Sequence, residues 1–205
     1  MKPGLDFVHE FVPGSSKRTL LLLHGTGGNE RDLIPLGREI DPTAAILSPR
    51  GKILENGMPR FFRRVAEGIF DEEDLNKRTH ELADFVGAAV EQYELAADQI
   101  VAVGYSNGAN IAASLLLLRP ERLRAAILFR AMVPLVPEKL PDLSILRVWI
   151  GAGNQDLIIP PSETRRLVEL LRNARADVTI RFFAAGHNLT NNEIEIARDW
   201  LMNWA

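Results

Sequence analysis

Residues 100–118 read Ile100-Val101-Ala102-Val103-Gly104-Tyr105-Ser106-Asn107-Gly108-Ala109-Asn110-Ile111-Ala112-Ala113-Ser114-Leu115-Leu116-Leu117-Leu118. An apolar run runs into Gly-x-Ser-x-Gly, and a helix-forming run leads out of it. Strand, sharp turn and helix is the setting that separates a nucleophile elbow from a chance match to that pattern. Ser106 then sits at the apex of a turn whose backbone is strained by roughly 1–3 kcal/mol. Gly104 and Gly108 suit the turn, because a side chain at either flank would crowd the strand against the returning helix. The turn lifts the Ser106 hydroxyl clear of the sheet and aims the first helical amides at whatever binds beside it. The plainer reading is a glycine-rich strand-to-helix turn, so the rest of the chain has to decide.

Working outward, the flanking segments alternate between strand and helix. Before the elbow, Phe7–Val12 reads as a first strand closed by Pro13-Gly14-Ser15-Ser16. Arg18–Leu23 is a second strand, apolar on both faces as a central strand should be, and it runs into His24-Gly25-Thr26-Gly27-Gly28. Asn29 is placed to cap a helix carrying Leu33, Leu36 and Ile40, and Ala44–Leu47 is a short third strand. Ser48 to about Asp74 reads as one long irregular stretch, a length usually reserved for function or mobility. A long amphipathic helix follows, with Leu75, Leu82, Phe85, Val86, Ala89, Val90 and Tyr93 on one face. The acidic run Asp71–Asp74 answers its dipole. After the elbow come strands at Arg124–Phe129, Leu146–Ile150 and Val178–Phe183. A proline-broken segment spans Ala131–Leu143, and a helix opens at Pro160-Pro161-Ser162. A last helix is announced by the capping-box spacing Thr190-x-x-Glu193, with Ile194, Ala197, Leu201 and Trp204 facing inward. The pattern predicts one α/β domain over 1–205: a mainly parallel sheet of about seven strands with helices on both faces.

Composition narrows the functional classes. An apolar fraction of 46% and a charged fraction of 25% are those of an ordinary globule, and 205 residues are enough for a substantial core. A net charge of −3 argues against nucleic acid as a partner. The absence of cysteine removes disulfides, thiolate metal sites and a Cys nucleophile together. The N-terminal residues show no signal core and no apolar run reaches membrane-spanning length, so the expectation is a cytoplasmic protein.

In parallel sheets the site lies at the carboxyl ends of the strands. Four chemically capable segments fall there: His24-Gly25-Thr26, Ser106, Asp156 and His187. A serine hydroxyl needs a base within hydrogen-bond reach. Of the four histidines, His9 lies at an edge strand and His80 on the long helix. His24 stands at the start of the glycine loop, where packing is its simplest role. His187 follows Gly186 after the last strand and is free to reach over the sheet. Its other nitrogen needs an acceptor, for which Asp156 is the first candidate and Glu163 and Asp142 weaker ones. A turn aspartate bonding its own backbone is the structural alternative for Asp156. The chain order Ser106, Asp156, His187 is that of the α/β-hydrolase triad. A developing oxyanion would take the backbone N–H groups of Asn107 and Thr26. The glycine loop lacks the ending of a P-loop and the spacing of a dinucleotide fingerprint, which sets phosphate binding aside.

These residues resemble the phospholipase/carboxylesterase family of small α/β-hydrolases. The likeness runs from Leu20-Leu21-Leu22-Leu23-His24-Gly25 through Gly104–Gly108 and Asp156 to Gly186-His187, nearly the whole chain in order. Ser48-Pro49-Arg50-Gly51 and Pro59-Arg60-Phe61-Phe62 are similar to the family's loop after the third strand. Asn107-Gly108-Ala109 departs from the eukaryotic thioesterases, which carry Gln after the nucleophile, and is closer to small bacterial carboxylesterases. The resemblance implies a Ser106–His187–Asp156 triad, oxyanion amides at Thr26 and Asn107, no cofactor, no metal, and hydrolysis of carboxylic or thio esters. An acyltransferase or perhydrolase with the same triad, or a silent binding protein on the same frame, are the competing functions. For the pocket, Phe61, Phe62, Met58 and Ile69 are candidates for one wall, and Met132, Val133, Leu135 and Val136 for the other. Arg60, Arg63 and Arg64 read either as solvated surface charges or as a greeting for an anionic substrate. The partner expected is a small-molecule ester, with an edge strand or the Met132–Leu143 segment as a candidate homodimer face.

Overall fold

A computed structural model describes residues 5–66 and 68–203. Seven strands form the main sheet: β1 (His9–Val12), β2 (Thr19–Leu23), β3 (Ala45–Pro49), β4 (Ile100–Tyr105), β5 (Ala125–Phe129), β6 (Arg147–Gly153) and β7 (Asp177–Phe183). Their order across the sheet is β1-β3-β2-β4-β5-β6-β7, and every pairing is parallel except β1 with β3. The fold is that of an α/β-hydrolase.

The central strands carry apolar side chains on both faces, so each face needs its own helical cover. On one face Leu20, Leu22, Ile46, Val103, Ile127 and Trp149 meet α1 (Ile34–Ile40) and α5 (Asn191–Met202). On the other, Leu21, Leu23, Ala102, Leu128 and Ile150 meet α2 (Glu72–Gln92), α3 (Asn107–Leu118) and α4 (Pro161–Asn173). In α3, the helix after the elbow, every residue from Asn107 to Leu117 is buried. Asp71 caps α2 by accepting the Asp74 amide, and Leu75, Leu82, Phe85, Val86 and Ala89 form its buried face. Trp204 lies outside the described residues. Among the described residues no helix is long and apolar enough to cross a membrane.

Three expectations change. The helix placed after Asn29 begins only at Ile34, because Asn29 and Asp32 close a turn on each other's side chains instead. The stretch 48–74 is not irregular throughout. It folds into two small antiparallel hairpins, Ile53–Glu55 with Met58–Arg60 and Arg64–Ala66 with Ile69–Phe70. Asn56 and Gly57 both take positive φ at the first turn, the pairing that a two-residue hairpin turn demands. At α5, Thr190 is the cap position but its side chain caps no amide; its hydroxyl donates instead to the Glu193 carboxylate, which Arg130 also holds.

Candidate active site

Because β2, β4, β5, β6 and β7 run in one direction, the segments that follow them emerge at one edge of the sheet. Gly108 makes that convergence tight: a Cβ there would lie 1.9 Å from the Leu23 carbonyl oxygen, so α3 seats directly on the end of β2. Gly153 does the same between β6 and the loop after β7, where a Cβ would come within 2.4 Å of two carbonyls, those of Ala185 and Gly186. The two loops are laced by Asn154 N–H to Phe183 O and Gln155 N–H to Ala185 O.

Ser106 occupies the turn between β4 and α3 with φ 53° and ψ −114°, a conformation side-chain-bearing residues adopt only under constraint. Its amide donates to Phe129 O, and its carbonyl accepts from the Asn110 amide. His187 Nε2 lies 3.0 Å from Ser106 Oγ, and His187 Nδ1 lies 2.8 Å from Asp156 Oδ2. The second Asp156 oxygen accepts the amides of Ile158 and Ile159 at 2.8 and 3.0 Å. One carboxylate thus holds both its own loop and the imidazole. Asp156 is buried, whereas His187 is part-open. Glu163 pairs with Arg166, and Asp142 pairs with Arg175.

Thr26 lies in the turn after β2, its hydroxyl accepting from Arg60 Nη1 at 2.8 Å. Asn107 is the first residue of α3, so its N–H is one of the helical amides without an intrahelical acceptor. Its side-chain oxygen accepts the Phe61 amide, while its Nδ2 is enclosed with no acceptor. His24 is buried beneath this edge, with Nδ1 bonded to Gly25 O and Nε2 accepting the Gly51 amide. Desolvation lowers its pKa, and the two bonds require the neutral ring.

A cavity of about 300 Å³ opens above Ser106 and His187. Thr26, Asn107, Asn110, Met132, Tyr105 and Phe70 line it, together with Arg60, Arg64, Ile158 and Ile159. Met132 therefore stands where expected, its amide held by Asn110 Oδ1. Phe61 and Phe62 do not. Both are core side chains, Phe61 tilted against the His24 ring and Phe62 edge-on to Phe70. Val133 packs on the core from the other side of its loop and borders a separate surface hollow with Val136. Their apolar character is used for support, not for lining. Among the described residues no cluster of His, Cys, Asp or Glu is placed to hold a metal ion.

The sequence reading missed Arg130 and Glu193. Arg130 ends β5 with φ 58° and is fully buried. Its guanidinium makes a two-bond pair with Glu193 at 2.6 and 2.8 Å, and donates to Gly186 O and Asn188 O, the carbonyls on either side of His187. Asp156 Oδ2 lies 3.9 Å from its Nε. Tyr105 adds a bond from its hydroxyl to the His187 carbonyl. The signal available was a lone arginine closing an otherwise apolar strand at the same edge as the other candidates.

A family model described as phospholipase/carboxylesterase matches residues 13–205. MhqD of Bacillus subtilis (strain 168) is 50% identical over 192 residues, covering 94% of this chain and 96% of that one. The crystal structure of the Bacillus cereus carboxylesterase is 50% identical, covers 97% of this chain and 94% of that one, and superposes with a TM-score of 0.94. A carboxylesterase from Mesorhizobium loti is 34% identical with a TM-score of 0.91, covering 98% of this chain and 97% of that one. With its sheet order, its elbow and these relatives in agreement, the chain belongs to the phospholipase/carboxylesterase family and is a hydrolase of the carboxylesterase type.

Proposed function

We propose that the chain hydrolyses carboxylic esters of small acyl or aryl acids through an acyl-enzyme formed on Ser106. One observation carries this reading: hydroxyl, imidazole and carboxylate stand in hydrogen-bonded series at 3.0 and 2.8 Å beside an open cavity. Ser106 Oγ attacks the ester carbonyl while His187 Nε2 takes its proton. Asp156 holds the Nδ1–H, keeping the ring in the productive tautomer and stabilising the imidazolium. The negative oxygen that develops meets the N–H groups of Thr26 and Asn107, each such donor being worth on the order of 3 kcal/mol in the transition state. The imidazolium then protonates the departing alkoxide. Water, deprotonated by the same ring, attacks the acyl-serine and restores the hydroxyl. The cavity volume suits short acyl groups, at the low end of what small-ligand sites span.

A fluorophosphonate probe tests the assignment. The native chain labels at Ser106 and turns over p-nitrophenyl acetate; Ser106→Ala loses both while keeping the native circular dichroism spectrum. A folded native chain that never labels would instead favour a binding protein on the hydrolase frame.

A further inference from the structure

Two of the side chains lining the cavity are guanidiniums, those of Arg60 and Arg64, and among the described residues no carboxylate lines it. Both are fixed from behind by one acid: Glu55 Oε2 lies 3.1 Å from Arg60 Nε, and Glu55 Oε1 accepts from Arg64 Nε at 2.7 Å. All three belong to the small hairpins of the 48–74 stretch, whose described residues bring two positive charges to the cavity against one negative. Arg60 is 4% exposed. Burial lowers its pKa, and the neighbouring Arg64 charge acts the same way, opposed by Glu55.

A guanidinium has five N–H donors. Arg60 spends one on Phe62 O and one on Thr26 Oγ1, which leaves three without a partner among the described residues. Its Nη2 is not enclosed, and Arg60 lines the cavity. Among the described residues Arg64 spends only its Nε–H, on Glu55. A guanidinium buried for structure alone has its donors spent, as Arg130 shows in this same molecule. Arg60 does not.

We propose that Arg60 and Arg64 bind a carboxylate carried by the substrate, so that the preferred esters are small anions: half-esters of dicarboxylic acids or acyl esters of hydroxy acids. The assignment rests on the ester-hydrolase reading of Ser106 and adds the substrate's charge to it. The hydrogen bond from Arg60 to the Thr26 hydroxyl ties this anion site to the residue that carries one of the proposed oxyanion donors. A small molecule can therefore span both. The planar forks suit a carboxylate, which each can meet with two parallel bonds.

Two matched pairs of esters test the idea and place the charge. Ethyl hydrogen glutarate against ethyl butyrate puts the carboxylate on the acyl side; 3-acetoxybenzoate against phenyl acetate puts it on the alcohol side. The native chain favours the anion in at least one pair by about tenfold or more in kcat/KM, the range a charged hydrogen bond supplies. The preference falls as ionic strength rises. Arg64→Gln, at a half-buried position that tolerates change, cuts the ratio about tenfold, and Arg60→Gln does the same if it folds. Arg63→Gln is the control: this side chain is largely exposed, pairs with Asp71 and does not line the cavity, so the ratio stays. Ratios near one in both pairs, or a preference that survives Arg64→Gln, overturn the anion site while leaving the hydrolase reading intact. No turnover of any of the four esters, with no fluorophosphonate labelling, overturns both.

Discussion

Ser106 holds a conformation that costs it free energy, with φ at 53°, and the surroundings over-determine it: its amide is tied to β5 and its carbonyl to the first turn of α3. Arg130 is a second strained residue of this kind, φ 58°, and its reward is the buried pair with Glu193. That pair reaches the imidazole through the Gly186 and Asn188 carbonyls, so it acts by position and not by contact with substrate. Glu193→Gln keeps the shape and removes the charge, leaving the buried guanidinium only the more distant Asp156 carboxylate, at a cost of about 3 kcal/mol. Urea denaturation reads that loss. Kinetics on p-nitrophenyl acetate separate clamp from ballast: kcat falls on the order of 10- to 100-fold as the ring loses its alignment, while KM hardly moves. A variant that loses stability but keeps kcat would show that the pair holds only the fold. Beyond a lone arginine after an apolar strand, the residues gave no sign of this pair. Thr190-x-x-Glu193 has capping-box spacing, but the carboxylate is taken by the distant Arg130 and by the Thr190 hydroxyl.

At the scale of elements, what can be read from local pattern was legible and what depends on tertiary neighbours was not. The seven strands and the long helix announce themselves by apolar runs and 3.6-residue spacing, and the parallel order then puts Ser106, Asp156 and His187 at one edge. The hairpins at 53–60 and 64–70 did not, since strands of two or three residues are too short to show alternation. Phe61 and Phe62 were misplaced for the same reason: without those hairpins nothing says which way the chain turns them. Glycine is informative where backbone meets backbone. Gly108→Ala would push a methyl into the Leu23 carbonyl and lift α3 off β2, at a cost of about 3 kcal/mol or more. Gly87→Ala, in the interior of α2, meets first the movable guanidinium end of Arg122, which must give way, and gains close to 1 kcal/mol of helix propensity. Thermal melts should therefore move in opposite directions or differ by several degrees; equal melting points would contradict the seating of α3 on β2.

Over the whole molecule, the layer that caps the site is joined to the sheet through a titratable group. The chain from Gly51 to Phe61 rests on His24, whose Nε2 accepts the Gly51 amide and whose ring faces Phe61; Phe61 in turn donates its amide to Asn107 at the elbow. Burial lowers the His24 pKa in the folded chain, so between that value and the unfolded value near 6.5 the unfolded state binds more protons. The stability contributed by the neutral ring is complete above about pH 6.5 and is lost progressively as pH falls below it. One proton limits the slope to about 1.4 kcal/mol per pH unit. Beside it, the Arg50 guanidinium bonded to Glu30 holds that carboxyl down to about 2, so this anchor of the same segment persists until far stronger acid. Acid should therefore act in two stages, His24 first and the carboxylates later. Urea titrations of the native chain between pH 7.5 and 5 should show the first stage, and His24→Asn, whatever its overall stability, should flatten it. In the folded chain the ring stays neutral through that slope and takes its proton only below its lowered pKa. There protonation removes the acceptor for the Gly51 amide and frees the segment that carries Arg60, so KM for anionic esters should rise only at pH below the start of the stability loss. An equally steep stability slope in His24→Asn would assign the titration to other groups and uncouple the capping layer from the ring beneath it.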